Sequence, residues 1–199
     1  MMNNLFQTNR RQFLSGIMPV CALACFSGSQ AVAMQEMAKH KFDQELGQAL
    51  TLRRYFRLQF DEMIKLASAL EKEWGKEKTI DFLKRTTQDR MLEYGRKQAK
   101  KLNDDSFKTY VDTFRGPAFK DVLTMEIVED TDTVFELKVT ECIWARTFLD
   151  ADAGEIGFAH VCFGDYFWPK GFNPKISMER DKTLMQGHAL CNHRYCLND

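Results

Sequence analysis

An α+β fold, with a helical N-terminal half followed by a small antiparallel sheet of about four strands and two inserted short helices, is predicted by three observations. Apolar residues recur at three- and four-residue steps up to about residue 102, the period of an amphipathic helix. Gly116-Pro117 then marks a boundary, and beyond it the pattern switches to alternation, the period of strands. The third observation is that two stretches of helical character interrupt that second half, which divides its strands into two hairpins.

The first helical stripe runs through Leu52, Tyr55, Phe56, Met63, Leu66, Ala67, Leu70 and Trp74, with Gly75 as its stop. Ile80, Leu83, Thr87, Met91, Tyr94, Gln98 and Leu102 make a second, more polar stripe that reads as a helix packed on one side, with Lys97, Lys100 and Lys101 on a solvated face. Asn103 to Ser106 breaks the pattern and caps a short helix ending at Phe114. Residues 123–128 and 134–139 alternate around the polar turn 129–133 and read as a hairpin. Cys142 to Leu149 reads as one short helix and Glu155 to Trp168 as another, closed by Pro169 and Gly171. Lys175 to Leu184 and Ala189 to Leu197 form a second hairpin around Gly187.

The N-terminus reads as an export signal. Thr8-Asn9-Arg10-Arg11-Gln12-Phe13-Leu14 places paired arginines before Phe-Leu, the pattern the twin-arginine translocase reads. The apolar stretch from Phe13 to Phe26 is interrupted by Gly16 and Pro19 and is too short to span a bilayer, which takes roughly 20 apolar residues. Ala31-Val32-Ala33 is a small-x-small cleavage site, and no acidic residue precedes Glu36. The expectation is a cleaved leader over 1–33 and a single α+β domain over 34–199, with its helical part at 34–115 and its motif-bearing part at 117–199, periplasmic or secreted. A lipidated form on Cys25 is the alternative.

The whole chain has 28 basic and 28 acidic residues; the leader holds two arginines and no acid, so the remainder carries 26 against 28. That balance excludes the basic excess expected of a nucleic-acid binder. No second apolar run is long enough for a membrane span.

Chemistry-bearing residues gather in the last sixty positions. Cys142 opens one helix, His160-x-Cys162-x-x-Asp165 lies on the next, and His188-x-x-Cys191-x-His193 enters the last strand. Cys162 and Asp165 share a helix face, and Cys191 and His193 share a strand face. If the elements pack as drawn, Cys142, Cys162, Asp165, Cys191 and His193 converge. Such a set could hold a divalent metal such as zinc, or make one thiol a nucleophile tuned by His and Asp. It could equally be buried structural cysteine or, with Cys196, two disulfides in an oxidising compartment.

The order Val139-Thr140-Glu141-Cys142, Cys162-Phe163-Gly164-Asp165, Gly171-Phe172-Asn173-Pro174, then Gly187 and Cys191 ahead of Arg194-Tyr195, resembles the L-2-amino-thiazoline-4-carboxylic acid hydrolase family over roughly residues 50–197. The chain has Cys191-Asn192-His193-Arg194-Tyr195 where the family's usual member ends in Cys-x-Phe-Arg or a close variant. The resemblance implies hydrolytic opening of a cyclic amidine, a thiazoline ring, to an N-carbamoyl amino acid. It implies Asp165 as base or water-positioning group, and Cys142, Cys162 and Cys191 with His193 as metal ligands or nucleophile. Arg146, with Arg194 as second candidate, is the expected partner of the small-molecule substrate's carboxylate. Loss of Cys162 or Asp165 is expected to abolish turnover and spare the fold. A fainter similarity, to small-ligand-binding domains of the 4-vinyl-reductase type, implies a periplasmic ligand- or metal-binding module without catalysis.

Overall fold

The computed structural model describes residues 50–199. The leader, its cleavage site and Cys25 lie outside the described residues.

Two long helices come first, α1 (Leu52–Trp74) and α2 (Lys76–Leu102), hinged at Gly75, which holds φ at +85°. Thr51 caps α1 by accepting the amide of Arg54. The buried face of α1 is narrower than the apolar stripe. Phe56 and Ala67 are buried, but Leu52, Tyr55, Leu66 and Trp74 are exposed. The cause is that, among the described residues, the second core packs on Phe60, Met63, Ile64 and Ala67 of α1, with Phe56 edge-on to Trp144. On α2 the expected stripe holds at its centre: Leu83 and Thr87 are buried, and Gln98 serves as acceptor for the indole N–H of Trp168 at 2.6 Å.

Helix α3 (Phe107–Arg115) is capped by Ser106. Nine residues are too few for a stable isolated helix. What holds α3 is burial of Phe107, Tyr110, Val111 and Phe114, each contributing roughly 1.5–3 kcal/mol. A single turn, α4 (Pro117–Lys120), leads to the hairpin β1 (Leu123–Asp130) and β2 (Val134–Cys142).

Beyond β2 come α5 (Ile143–Leu149), α6 (Gly154–His160), a 3₁₀ turn at Cys162–Tyr166, α7 (Trp168–Phe172) and β3 (Ile176–Glu179); after a second 3₁₀ turn at Leu184–Gln186, β4 (Cys191–Leu197) closes the chain. The sheet is antiparallel with order β1-β2-β4-β3, so the last strand lies at the centre beside β2. The predicted α+β class, four-stranded sheet included, is the observed one.

Two segments differ from expectation. The predicted helix Glu155–Trp168 is broken at Val161 into α6 and the 3₁₀ turn. The His160 carbonyl accepts instead from the Thr87 hydroxyl at 3.2 Å and from Arg90 at 2.6 Å, and the Cys162 carbonyl from Arg180 at 2.8 Å. Those donors take the oxygens that a continuous helix would use for its own amides. The second hairpin is also less regular: β3 ends at Glu179, and residues 180–190 form a connection tied back by Asn192, which bonds Lys182 N and Asp181 through its side chain.

Two packed cores result. One lies between α3, α7 and the inner sheet face carrying Phe135, Leu137, Ile176, Met178 and Tyr195. The other gathers Ala67, Leu83, Phe148, Ile156, Ala159 and Met185. Among the described residues no helix is long and apolar enough to cross a membrane.

Candidate active site

Between the two cores lies a cavity of about 420 Å³, walled largely by aromatic and aliphatic side chains from both. The polar groups that reach it are few: Cys142, Cys162, Cys191, Asp165, Arg180, His193, His160 and Arg90. An apolar cavity with a small convergent polar set is the usual form of a small-molecule site.

Each polar side chain is placed by a local rule. Cys142 is the N-cap of α5, its sulfur accepting the amide of Ala145 at 3.5 Å. Cys162 and Asp165 still share a face although the helix is broken, because a 3₁₀ turn repeats every three residues. On β4, Cys191, His193 and Tyr195 alternate onto the inner face opposite Val139, Leu137 and Phe135. All five residues expected to converge line this one cavity.

The centre of the cluster is Arg180, which the sequence reading missed. Its side chain is only 1% exposed. Nη1 donates to Asp165 Oδ2 at 2.7 Å and faces His193 Nε2 at 3.2 Å, while Nη2 donates to the Cys162 carbonyl. The guanidinium also lies over the rings of Tyr166 and Phe158. Its only sequence signal is a lone arginine one residue past an apolar strand, which is the commonplace setting of a surface charge.

Because a guanidinium only donates, His193 Nε2 is the acceptor and the ring proton sits on Nδ1, 3.5 Å from the Tyr195 hydroxyl. Burial, assisted by Arg180 and opposed by Asp165, pulls His193 down to about 4; burial and then Arg90 pull His160 down to about 4. Both imidazoles are neutral at neutral pH. Burial pushes Cys142 up to about 11 and raises Cys162 and Cys191 as well, so all three are thiols rather than thiolates.

The imidazoles yield a stability prediction. Their folded pKa values lie below the unfolded value of 6.5, so the unfolded chain binds protons first as pH falls. Stability is expected to be full above about pH 6.5 and to decline from there toward pH 4. Urea unfolding midpoints between pH 7.5 and 4.5 check this. In His193→Gln the decline should be shallower.

The remaining candidates lie elsewhere. Arg146 is 64% exposed, pairs with Asp150 at 3.2 Å and faces a separate open groove of about 660 Å³. Arg194 points to the outer sheet face, where it pairs with Glu129 and Glu136. Neither reaches the cavity, and each already has a carboxylate. The four cysteines among the described residues are free, with Cys196 on the opposite sheet face from Cys191.

The donor set fits a metal poorly. A buried guanidinium occupies the middle of it, and its charge would oppose a divalent cation. Among the described residues no group of three or more His, Cys, Asp or Glu stands at metal-binding spacing.

Comparison with known proteins settles the family. The model for L-2-amino-thiazoline-4-carboxylic acid hydrolase matches residues 53–195, a span that contains the whole cavity. The chain belongs to that family. No curated protein matches it. Among solved structures, this family member is similar to trafficking protein particle complex subunit 3 from Naegleria fowleri covalently bound to palmitic acid, at 13% identity and a TM-score of 0.42, over 73% of this chain and 96% of that one. It is also similar to the phenol-responsive sensory domain of the transcription activator PoxR with phenol, at 11% identity and a TM-score of 0.46, over 86% of this chain and 92% of that one.

Proposed function

We propose that this member of the family is a hydrolase that opens a cyclic amidine ring to an N-carbamoyl amino acid. The observation that carries this reading is the convergence of Asp165, three cysteines and a buried guanidinium on one largely apolar cavity. Water adds to the ring carbon between nitrogen and sulfur, and the carbon–sulfur bond breaks. The water oxygen becomes the carbamoyl oxygen, one of its protons ends on the ring nitrogen and the other on the departing sulfur. No oxidant or reductant is required.

Asp165 is the base. Arg180 donates to Oδ2 and orients the carboxylate, which leaves Oδ1 as its second acceptor for the attacking water. A leaving sulfur needs a proton donor more than a metal here, and Cys162 or Cys142, held as thiols by burial, can supply it. The expected zinc therefore has no step in this reading.

The test is conversion of 2-amino-thiazoline-4-carboxylate to N-carbamoylcysteine, followed as new free thiol. Asp165→Asn keeps an acceptor for Arg180 but removes the base, and should lower kcat by at least ~100-fold with KM little changed. Unchanged kcat in a folded Asp165→Asn enzyme would overturn the assignment. Ligand binding without turnover by the unaltered protein would favour the binding-module reading, which the largely apolar lining also supports.

Export by the twin-arginine translocase to the periplasm or beyond is part of the proposal, on the strength of Arg10-Arg11 and the Ala31-Val32-Ala33 site. The same preparation tests it: protein recovered from outside the cytoplasm should begin at Met34, and retention of residues 1–33 would refute cleavage.

A further inference from the structure

Charge balance inside the cavity is uneven. Arg90 and Arg180 line it against a single carboxylate, Asp165, and the two histidines are neutral, so the walls carry a formal balance of +1. Arg180 is committed to Asp165. Arg90 is not committed. It reaches from α2 to the cavity's solvent-touching edge, and among the described residues its single side-chain hydrogen bond is to the backbone carbonyl of His160 and no carboxylate pairs with it. A guanidinium has five donors, so most of Arg90's donor capacity is left over. Arg180 adds a second deficit: its Nε is buried and has no acceptor among the described residues. A buried donor left unpaired is costly, and an acceptor brought in by a ligand would relieve it.

Size points the same way. At roughly 30 Å³ per water-sized group, the cavity has room for about 14 such groups. A thiazoline acid, a five-membered ring with two small substituents, fills only part of that space. The lining that remains for it is apolar and includes Phe60, Met91, Tyr94 and Trp144.

We infer that Arg90 is the anion anchor of this cavity and that its ligand is an amphiphilic carboxylic acid, with an aromatic or branched apolar body larger than the bare thiazoline ring. This rests on the cavity being the ligand site of the proposed hydrolase, and replaces Arg146 and Arg194 as carboxylate partners. The anchor sits at the edge, where a carboxylate keeps partial hydration, and the apolar body fills the interior. Burial of that body supplies the affinity and Arg90 supplies the preference for an acid over a neutral isostere.

The experiment is a fluorescence titration, since Trp144 and Trp168 both line the cavity. The probes are 3-phenylpropionate, its neutral amide 3-phenylpropionamide, and acetate. The full protein is expected to bind the acid at least ~10-fold more tightly than the amide, the loss typical of one charge-assisted hydrogen bond, and to show no saturable response to acetate. Arg90→Gln should bring acid and amide to equal affinity, and Arg90→Lys should restore part of the difference. Equal binding of acid and amide by the unaltered protein, a preference that survives in Arg90→Gln, or saturable binding of acetate as tight as the phenyl acid would each overturn the inference. The probes carry no hydrolysable ring. Failed turnover with the acid preference intact therefore removes the hydrolase reading and leaves the anchor standing.

Discussion

Gly95→Ala is expected to be among the most damaging single-methyl changes in this protein. Gly95 lies in the C-terminal third of α2, and a Cβ there would meet the Trp168 carbonyl oxygen and the Phe172 amide nitrogen at 2.5 Å, and the Gly171 carbonyl carbon at 2.7 Å. Gly171 is its counterpart on α7: a Cβ there would run into the backbone of Leu92. The two glycines let α2 and α7 touch main chain to main chain. The obstruction is backbone on both sides, so no rotamer change relieves it. Ordinary overpacking costs about 1–3 kcal/mol, and this site belongs at or beyond the upper end. In an exposed helix the same substitution would stabilise by up to roughly 1 kcal/mol, so the sign of the effect is itself diagnostic. Urea denaturation of Gly95→Ala and Gly171→Ala measures it; a neutral or stabilising result would mean the helices do not cross there. Trp168, on α7, lines the cavity, so the same variants should weaken ligand binding along with stability.

The second large effect is expected at the Arg180–Asp165 pair. Exposed pairs such as Arg146–Asp150 contribute about 0–1 kcal/mol and can be removed with little consequence. Arg180 is almost fully buried, and deleting its partner strands the charge. Asp165→Ala should therefore cost about 3–5 kcal/mol. This revises the expectation that losing Asp165 would spare the fold, and it is why the activity test uses Asn, which still accepts from Arg180. Replacing both, as Arg180→Met with Asp165→Leu, should recover much of the loss, because no uncompensated charge remains. A thermodynamic cycle on the singles and the double measures the coupling. A cost below about 1 kcal/mol for Asp165→Ala would show that the pair is not structural.

Much of the candidate site was legible because it rests on short periods. Cys162 and Asp165 are three apart on a turn that repeats at about three residues, whether α or 3₁₀; Cys191 and His193 are two apart on a strand. Those offsets survive even where the expected helix breaks, as at Val161. Arg90 and Arg180 were not legible. One sits on a helix rich in Lys and Arg and the other just beyond a strand, and local sequence does not distinguish a cation turned into a cavity from one turned to water.

The sequence by itself determined the α+β class, the change of period at Gly116-Pro117, the two hairpins and the family, because each is written in local hydrophobic spacing or in ordered motifs. Tertiary structure alone decided three things. The long-range donors Thr87, Arg90 and Arg180 broke the helix after His160 by taking its carbonyls. Two glycines separated by more than seventy positions came to share a helix crossing. Arg180 became the buried centre of the site while Arg146 and Arg194 went to surface carboxylates. Each depends on which partner a side chain meets across the chain, and hydrophobic periodicity carries no information about that.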